Sequence, residues 1–272
     1  VMTRASRVSA LEWFSTLGNL AGREMISIQN GNDSLPEALA STLEVHLQTP
    51  ATALRRVEDG VEITASPADG SPLQLHADAC VLATRLPEAL ALAPDLRPQV
   101  GALADTLHYN RGLAVQLGYK RRPACPAIGL LLGAVEHEDI GLIWLEHNKN
   151  PDRVPPGHSL FSVYFDEVTN DRNYPASDEQ LRDIGARYVE QLFPELQSQL
   201  DLYQVSRWPM AIPNPAPGVY RAVHQMKARL DPRDRVQLAG DYFTCVGQNS
   251  AIHYGRLAAE RVLHTLRKGS SP

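Results

Sequence analysis

The stretch VQLAGDY, residues 236–242, followed by SAIHYGRLAA, residues 250–259, decides the fold class of this chain. The first segment predicts a short buried strand that ends in a glycine and a carboxylate. A loop containing Gly247 follows, and residues 250–267 predict a helix. The side chains expected on its buried face are Ala251, Ile252, Leu257, Ala258, Val262 and Leu263. A strand, loop and helix in this order indicate an α/β fold.

The end of this strand has the chemistry of a ligand site. A helix N-terminus offers unpaired N–H groups and positive potential, which favour phosphate or another electron-rich group. Gly240 would let a ligand approach the backbone, and Asp241 would accept hydrogen bonds from ligand hydroxyls. From the residues alone, an ordinary strand–loop–helix unit in which Asp241 serves as a cap remains an open alternative.

Earlier segments predict two groups of strands and three helices, one of which follows Asp33 or Ser34 and has Leu35, Leu39 and Leu43 along one face. Turn residues 58–60 join two strands in a hairpin, and the apolar run at residues 80–83 predicts a strand buried on both faces. The other expected strands are Val45–Leu47, Ala53–Val57, Val61–Ala65, Leu73–Ala77, Leu113–Tyr119, Ile128–Leu132, Gly141–Leu145 and Leu160–Phe165. One helix covers residues 8–22 with its apolar side chains at Val8, Leu11, Trp13, Phe14, Leu17 and Leu20. Another covers residues 178–192, capped by Ser177, with Leu181, Ile184, Tyr188 and Leu192 facing inward.

These motifs resemble the FAD-dependent superfamily of flavin amine oxidases, protoporphyrinogen oxidases and carotenoid (phytoene) desaturases. Residues 236–259 are similar to its C-terminal FAD motif, although His253-Tyr254-Gly255 stands where Glu-Ser-Gly is common. Further segments follow the family order. Residues 29–39 keep only the second glycine of a Gly-Gly turn, residues 47–57 and 78–84 resemble the β-meander, and WPMAIP at residues 208–213 resembles a Trp-x-x-Ala-x-Pro segment. The resemblance therefore covers nearly the whole chain.

The resemblance implies FAD as the cofactor. It also implies an α/β fold with α+β character, in which an incomplete Rossmann-like FAD-binding domain with a β-meander accompanies a mixed-sheet substrate domain. The FAD-binding part would comprise residues 24–95 and 225–268, the substrate part residues 96–224, and residues 1–23 would end a helical region of the substrate domain. The cofactor-binding residues would be Gly31, Ala51, Ala83, Gly240, Asp241, Gln248, Asn249, Ser250 and Ala251. No catalytic residue can be named.

Departures from the family pattern shape the expected activity. Amine oxidases carry a lysine near flavin N5, where this chain has Ala114, with Lys120 further along the strand, and Gly247 replaces an aromatic residue before the final helix. The resemblance thus favours desaturation or porphyrinogen-type oxidation over amine oxidation.

The G-x-G-x-x-G phosphate-binding fingerprint does not occur in the sequence. We therefore expect a C-terminal portion that needs an N-terminal Rossmann half or partner subunit to bind FAD.

Composition excludes several other functions. The net charge of −5 argues against a nucleic-acid partner, and no apolar run approaches the ~20 residues of a membrane span. Three cysteines without a paired spacing indicate a reducing compartment, so we expect a cytoplasmic protein, with peripheral attachment to a membrane as an open alternative. The run EHED, residues 136–139, predicts a solvated turn and no metal site.

Three functional hypotheses follow from the sequence. The first is an FAD-dependent oxidoreductase that takes hydride from a C–H bond of a small apolar substrate. The second, from another class, is a non-catalytic ligand-binding or assembly subunit of a flavoenzyme. A nicotinamide-dependent dehydrogenase is a weaker third, because its fingerprint is absent as well. Aromatic residues Tyr109, Tyr119, Trp144 and Tyr164 would line a substrate cavity or, alternatively, fill the core.

Overall fold

The computed structural model describes residues 8–20, 22, 26, 28–29, 31–133, 135–244 and 247–269. These residues form two compact units. The first contains the described residues between 26 and 39 together with Tyr109–Ile212, and the second contains Val8–Gly22, Ala40–His108 and the described residues from 213 onward. The chain passes from one unit to the other between residues 108 and 109 and between residues 212 and 213. The domain limits expected from the sequence lie at 95/96 and 224/225.

The described chain contains both helices and strands, grouped in short runs, which makes the fold mixed α/β. The helices are α1 (Ala10–Leu20), α2 (Ser34–Ala40), α3 (Leu86–Leu92), α4 (Arg97–Val100), α5 (Leu103–Thr106), α6 (Glu146–Lys149), α7 (Glu167–Asn173), α8 (Asp178–Leu192), α9 (Val219–Arg229) and α10 (Gln248–Gly269). The strands are β1 (Ala51–Val57), β2 (Gly60–Ala65), β3 (Leu73–Ala77), β4 (Cys80–Leu82), β5 (Tyr109–Tyr119), β6 (Gly129–Leu131), β7 (Ile140–Leu145), β8 (Ser159–Phe165), β9 (Leu200–Pro213) and β10 (Val236–Leu238).

The first unit is built on a five-stranded sheet with the order β6-β7-β8-β5-β9. The pairs β6–β7, β7–β8 and β5–β8 are antiparallel. The β5–β9 pair is antiparallel as well, because Gly118 lies against Leu202 while Gly112 lies against Ala211. The expectation of a mixed sheet is therefore wrong for the described strands. The four strands predicted between residues 113 and 165 are confirmed as β5 to β8.

One face of this sheet forms the core of the first unit. Alternate residues of β5 and β8 point into it, as the two-residue period of a strand requires, and α8 packs over them. The predicted cap of α8 is confirmed: Ser177 Oγ accepts the Gln180 N–H at 3.2 Å, and Gln180 Oε1 accepts the Ser177 N–H at 2.9 Å. Leu181 and Tyr188 are buried as predicted, but Leu192, at the last turn of α8, is exposed.

The second unit holds two smaller sheets. Strands β1, β2 and β3 form an antiparallel meander, which confirms the predicted hairpin around residues 58–60. Gly60 is required at its corner, because a Cβ there would lie 2.3 Å from the carbonyl oxygen of Ala77. Strands β4 and β10 pair in parallel.

Two strand predictions in the second unit are wrong. Residues 45–47 form no strand: Val45 and Leu47 are exposed, and Gln48 adopts a φ of 52° that interrupts extended structure. β4 is not buried on both faces, since Val81 is 37% exposed. The reason is that, among the described strands, β4 has β10 as its one sheet neighbour.

The helices at the two ends of the described chain expose much of their predicted apolar faces. Of the six α10 residues expected to be buried, Ala258 alone is buried, and Ile252 and Leu263 are exposed. On the N-terminal helix Val8 is buried, whereas Leu11, Phe14 and Leu17 are exposed, and the side chains of Trp13 and Leu20 lie outside the described residues. No helix among the described residues combines the length and the apolar character that crossing a bilayer requires.

Candidate functional site

The candidate site lies at the carboxyl edge of the parallel pair β4–β10. The Ala239 N–H donates to the Leu82 carbonyl at 3.0 Å, which continues the pairing to the last residues of both strands. Ala83 and Gly240, which come next in the chain, therefore lie at the same edge of the sheet. In open α/β sheets ligands bind outside the carboxyl ends of the strands, and α10 packs against both β4 and β10 there.

A neighbouring aromatic ring explains why residue 240 is a glycine. Its backbone is extended, with φ and ψ of 165°, so any residue could adopt its conformation. A Cβ at this position, however, would lie 2.3 Å from Cε1 of Tyr242. Because Tyr242 is only 2% exposed, its ring has little room to move away. The space beside Gly240 is thus filled by Tyr242, a role that the sequence analysis had not assigned.

Asp241 is half-buried at the start of a short turn of 3₁₀ helix, residues 241–243. Burial raises the pKa of its carboxyl group, and hydrogen bonds from the backbone N–H groups of Asp241 and Tyr242 offset part of this effect. A carboxylate in such a place accepts hydrogen bonds from hydroxyl groups readily, since these replace lost water.

The N-terminal part of α10 packs against the turn at residues 241–243. The helix begins at Gln248, two residues earlier than predicted. Gln248 and Asn249 are exposed, whereas the Ser250 and Ala251 N–H groups both donate to the Gly247 carbonyl, at 3.1 and 3.2 Å. Gly247 has a φ of 137°, a conformation that favours glycine.

A stack of aromatic rings fixes this helix end, and the sequence analysis missed it. The Tyr242 and Phe243 rings lie 5.1 Å apart, and the Phe243 and Tyr254 rings lie 4.7 Å apart and nearly parallel. Lys227 of α9 donates to the Tyr254 hydroxyl at 2.7 Å. The stack ties the turn at residues 241–243 to α10. The sequence signal was three aromatic residues within one motif.

The remaining predicted cofactor residues are dispersed. Ala51 begins β1, in the second unit, and is exposed. Gly31 belongs to the first unit, where it has a φ of 102° and its carbonyl accepts the Ser34 hydroxyl at 2.7 Å. The structure therefore brings Ala83, Gly240, Asp241 and the α10 N-terminus together, with Ala51 elsewhere in the same unit.

These groups fit one part of FAD. Hydroxyls of the ribityl chain match a half-buried carboxylate, and the electron-rich flavin ring or a phosphate matches a helix N-terminus. The glycine-rich loop that holds the pyrophosphate in dinucleotide folds has no counterpart in this sequence. Among the described residues, no group of three or more His, Cys, Asp or Glu side chains is arranged to hold a metal ion.

The first unit contains a second feature of interest, the sheet face opposite its core, here called the second face. Trp144 and Tyr164 lie on it, half-buried, whereas Tyr119 is buried in the core. Three glycines let bulky side chains lie flat there. A Cβ on Gly112 would lie 3.0 Å from Trp208, one on Gly118 would lie 2.7 Å from Leu202, and one on Gly129 would lie 2.6 Å from Trp144. The result is an aromatic surface, beside which Glu146 accepts the Ser162 hydroxyl at 2.9 Å and Lys149 lies 5.0 Å from the Trp144 ring centroid.

The second face also contains the position aligned with the amine oxidase lysine. Ala114 pairs with Tyr164 and is fully buried. Lys120, further along the chain, is exposed and forms an ion pair with Asp201 at 3.0 Å. Lys120 therefore does not take the place of Ala114, whereas Lys149 of α6 lies over the Trp144 ring of this face, 5.0 Å from its centroid.

Comparison with solved structures reveals two related folds. A protein of Exiguobacterium sp. 255-15 assigned as a protoporphyrinogen oxidase superposes with a TM-score of 0.67 at 19% identity, over 89% of this chain and 52% of its own. Cyclohexylamine oxidase from Brevibacterium oxydans IH-35A superposes with a TM-score of 0.74 at 16% identity, over 98% of this chain and 62% of its own. The chain thus spans between one half and two thirds of either protein.

Sequence comparison gives the family. No curated protein sequence matches the chain. The model of the family described as flavin containing amine oxidoreductase, in contrast, matches residues 5–263, which is nearly the full chain. The chain therefore belongs to the flavin-containing amine oxidoreductase family, whose cofactor is FAD.

Proposed function

We propose that this chain forms part of an FAD-dependent oxidoreductase and supplies one side of the flavin site from its second unit. The observation that carries the proposal is the common carboxyl edge of β4 and β10, where Ala83, Gly240 and Asp241 meet the α10 N-terminus. The family match over residues 5–263 supports it. When bound, FAD would accept a hydride equivalent from a substrate C–H bond.

The protein's own part would be to bind and orient the cofactor. Asp241 would accept hydrogen bonds from ribityl hydroxyls, for which its half-buried position is suited. The exposed first turn of α10, at Gln248 and Asn249, would direct its N–H groups toward the electron-rich ring or a phosphate. The Tyr242 ring would fix the conformation of the turn at residues 241–243 and would not contact the reacting atoms.

The substrate would be small and apolar, and the first unit would bind it. The second face supports this assignment, because Trp144, Tyr164 and Trp208 offer aromatic surface there. The absence of a lysine at Ala114 supports a desaturase-like or porphyrinogen-oxidase-like reaction over amine oxidation. We assign the substrate role to the first unit and the flavin role to the second.

The pyrophosphate of FAD would be held by a Rossmann half carrying the glycine-rich fingerprint, from another part of the same protein or from a partner subunit. Exposed apolar side chains on α10 support such a neighbour, because Ile252 and Leu263 would be covered by it. The reaction would then need both parts, and the chain alone would retain FAD poorly.

A second candidate function is a non-catalytic binding or assembly subunit. The exposed stripe of Leu11, Phe14 and Leu17 on α1 favours it, because an uncovered apolar helix face is typical of an interaction surface. Under this hypothesis the second unit would bind a protein partner and no flavin.

A visible absorption spectrum separates the two candidates. The purified chain would be incubated with FAD, alone and with a family Rossmann half, then desalted. A flavin band retained only, or far more strongly, with the Rossmann half would support a shared site. The Asp241→Ala variant should then lose the band, while Asp201→Ala, an exposed surface change, should keep it. No band in any sample would reject the flavin site and favour the binding subunit.

A further inference from the structure

A groove of about 460 Å³ lies on the first unit between the turn at residues 135–139 and α8. Its volume falls in the range of small-molecule sites. The turn belongs to the EHED segment that the sequence analysis expected to be a solvated turn. The groove is distinct from the second face, because α8 covers the core side of the sheet.

The imidazole of His137 is held in one tautomer in this groove. Its Nδ1 accepts the backbone N–H groups of Asp139 at 3.0 Å and Ile140 at 3.1 Å. A nitrogen that accepts carries no proton, so in the neutral ring the proton is on Nε2. The ring packs edge-on against Tyr188, with the centroids 4.5 Å apart. Nε2–H has no partner among the described residues and is left as a fixed donor.

The carboxylates around the groove are engaged with the protein itself. Glu136 Oε2 accepts the Gly133 N–H at 2.9 Å. Asp139 Oδ1 accepts hydrogen bonds from Arg172 and from Asn173, and Glu138 lies 3.5 Å from Arg172. These contacts leave the acidic groups less available to a ligand.

The donors that remain are cationic or neutral. Arg187 lines the groove from α8, is exposed, and forms no ion pair or hydrogen bond with any described residue. Gln191 lines it one turn further along α8. A guanidinium binds a carboxylate well, through paired N–H donors. Glu136 and Glu138 place negative charge at the groove, which opposes any anionic ligand, so a ligand with a single negative charge is opposed least.

An apolar wall completes the recognition surface. Ile184 and Tyr188 line the groove beside these donors, and both are on α8. They offer an aliphatic and an aromatic surface to the body of a ligand. We propose that this groove binds a small organic monocarboxylate, with its carboxylate at Arg187 and His137 and its apolar body against Ile184 and Tyr188.

Calorimetric titration of the chain with benzoate tests the proposal, with benzylamine, benzamide and inorganic phosphate as comparison probes. Benzoate should bind in preference to all three. Arg187→Gln should weaken benzoate binding on the order of tenfold or more, as expected for loss of a charge-assisted hydrogen bond. Arg55→Gln in the second unit, where the exposed arginine is paired with Glu62 at 2.5 Å, is the control and should bind normally.

His137→Gln provides a second variant, with circular dichroism as the check on folding. Weaker benzoate binding with an unchanged spectrum would support the donor role of Nε2. The proposal is overturned if benzoate does not bind, if benzamide or benzylamine binds equally well, or if Arg187→Gln leaves the affinity unchanged. Because no flavin is needed, these results are independent of the proposed oxidoreductase activity.

Discussion

At the scale of single residues, Gly240 and Tyr242 determine how the strand end is built. The glycine of the motif could be identified from sequence, but the reason for it could not. A buried aromatic ring two residues later occupies the space where a side chain would lie. Loss of FAD on substitution of Gly240 would therefore not by itself demonstrate a cofactor contact, because the apoprotein is affected as well.

Replacing Gly240 by alanine should lower the free energy of unfolding without any cofactor. The new Cβ meets the Tyr242 ring at 2.3 Å, and overpacking of this kind costs about 1–3 kcal/mol. Urea denaturation followed by circular dichroism measures the change. Gly255→Ala is the control, since a Cβ there meets nothing within 4 Å and alanine favours the helix. Equal stabilities of Gly240→Ala and the parent chain would contradict the packing role of Tyr242.

Asp241 should make the chain less stable as the pH rises. Burial raises the pKa of its carboxyl group above the ordinary value, so the folded state binds the proton more tightly than the unfolded state. This contribution favours folding below the ordinary pKa and is lost as the pH rises through the folded pKa.

The Asp241→Asn variant should consequently be more stable than the parent at pH 7 and similar to it at pH 3. It should also retain less FAD in the reconstituted protein, because amide oxygen is a weaker acceptor than carboxylate. Urea midpoints at both pH values and the flavin absorbance report the two effects. A variant that is less stable than the parent at pH 7 would contradict the role of burial.

At the scale of elements, local signals located α8 correctly because its start is stabilised by its own neighbours. The hydroxyl of Ser177 and the amide of Gln180 satisfy each other's backbone N–H groups, which is a property of four consecutive residues. β9 was not predicted, because its formation depends on its place in the sheet and not on its own neighbouring residues. It contains Pro209, which argues against a strand, but β9 is at the edge of the sheet, where a missing N–H is tolerated.

Ser177→Ala should lower the free energy of unfolding by about 1 kcal/mol, because α8 loses its N-cap. Ser177→Asp restores an acceptor at the same position and should recover most of the stability. Thermal or urea unfolding of the three proteins measures the difference. If alanine and aspartate variants were equally stable, the cap would contribute nothing.

Gly129→Ala should displace Trp144 from the second face. The added Cβ would lie 2.6 Å from the indole ring, which must tilt away from the sheet and toward water. Tryptophan fluorescence should shift to longer wavelength, and subtraction of the Trp144→Phe spectrum isolates this residue from the other two tryptophans. An unshifted spectrum would show that the ring does not depend on Gly129.

At the scale of the whole molecule, the exposed large apolar side chains of the described residues are not confined to one face of a helix. Phe14 is 73% exposed and Leu47 is 81% exposed, and each lies near other exposed leucines in sequence. The inner side of α1 holds a carboxylate instead: Glu12 is buried and accepts the hydroxyl of Tyr220. The apolar stripe of α1 was predicted to face the core, because sequence alone gives the helical spacing of apolar side chains but not the surface that covers them.

The isolated chain should therefore bind the dye ANS strongly, and the Rossmann half or another partner should reduce the signal. Phe14→Gln, together with Leu17→Gln, should lower dye binding without changing the far-ultraviolet circular dichroism spectrum. Fluorescence titration with ANS measures both effects. Strong dye binding that these substitutions leave unchanged would place the exposed apolar surface elsewhere.

The sequence by itself determined the features that arise within short stretches of chain. The hairpin at residues 58–60, the cap of α8 and the strand–loop–helix order around Gly240 follow from turn sterics, neighbouring hydrogen bonds and side-chain periodicity. The family also followed from sequence, because its motifs are local and ordered along the chain. Only the tertiary structure decided which apolar faces are covered, that β9 completes the sheet, and that Tyr242 fills the space beside Gly240. The first two depend on segments distant in sequence, whose packing no local pattern specifies. The third joins residues only two apart, but the turn at residues 241–243 that directs the Tyr242 ring back onto Gly240 is fixed by its burial in the folded unit.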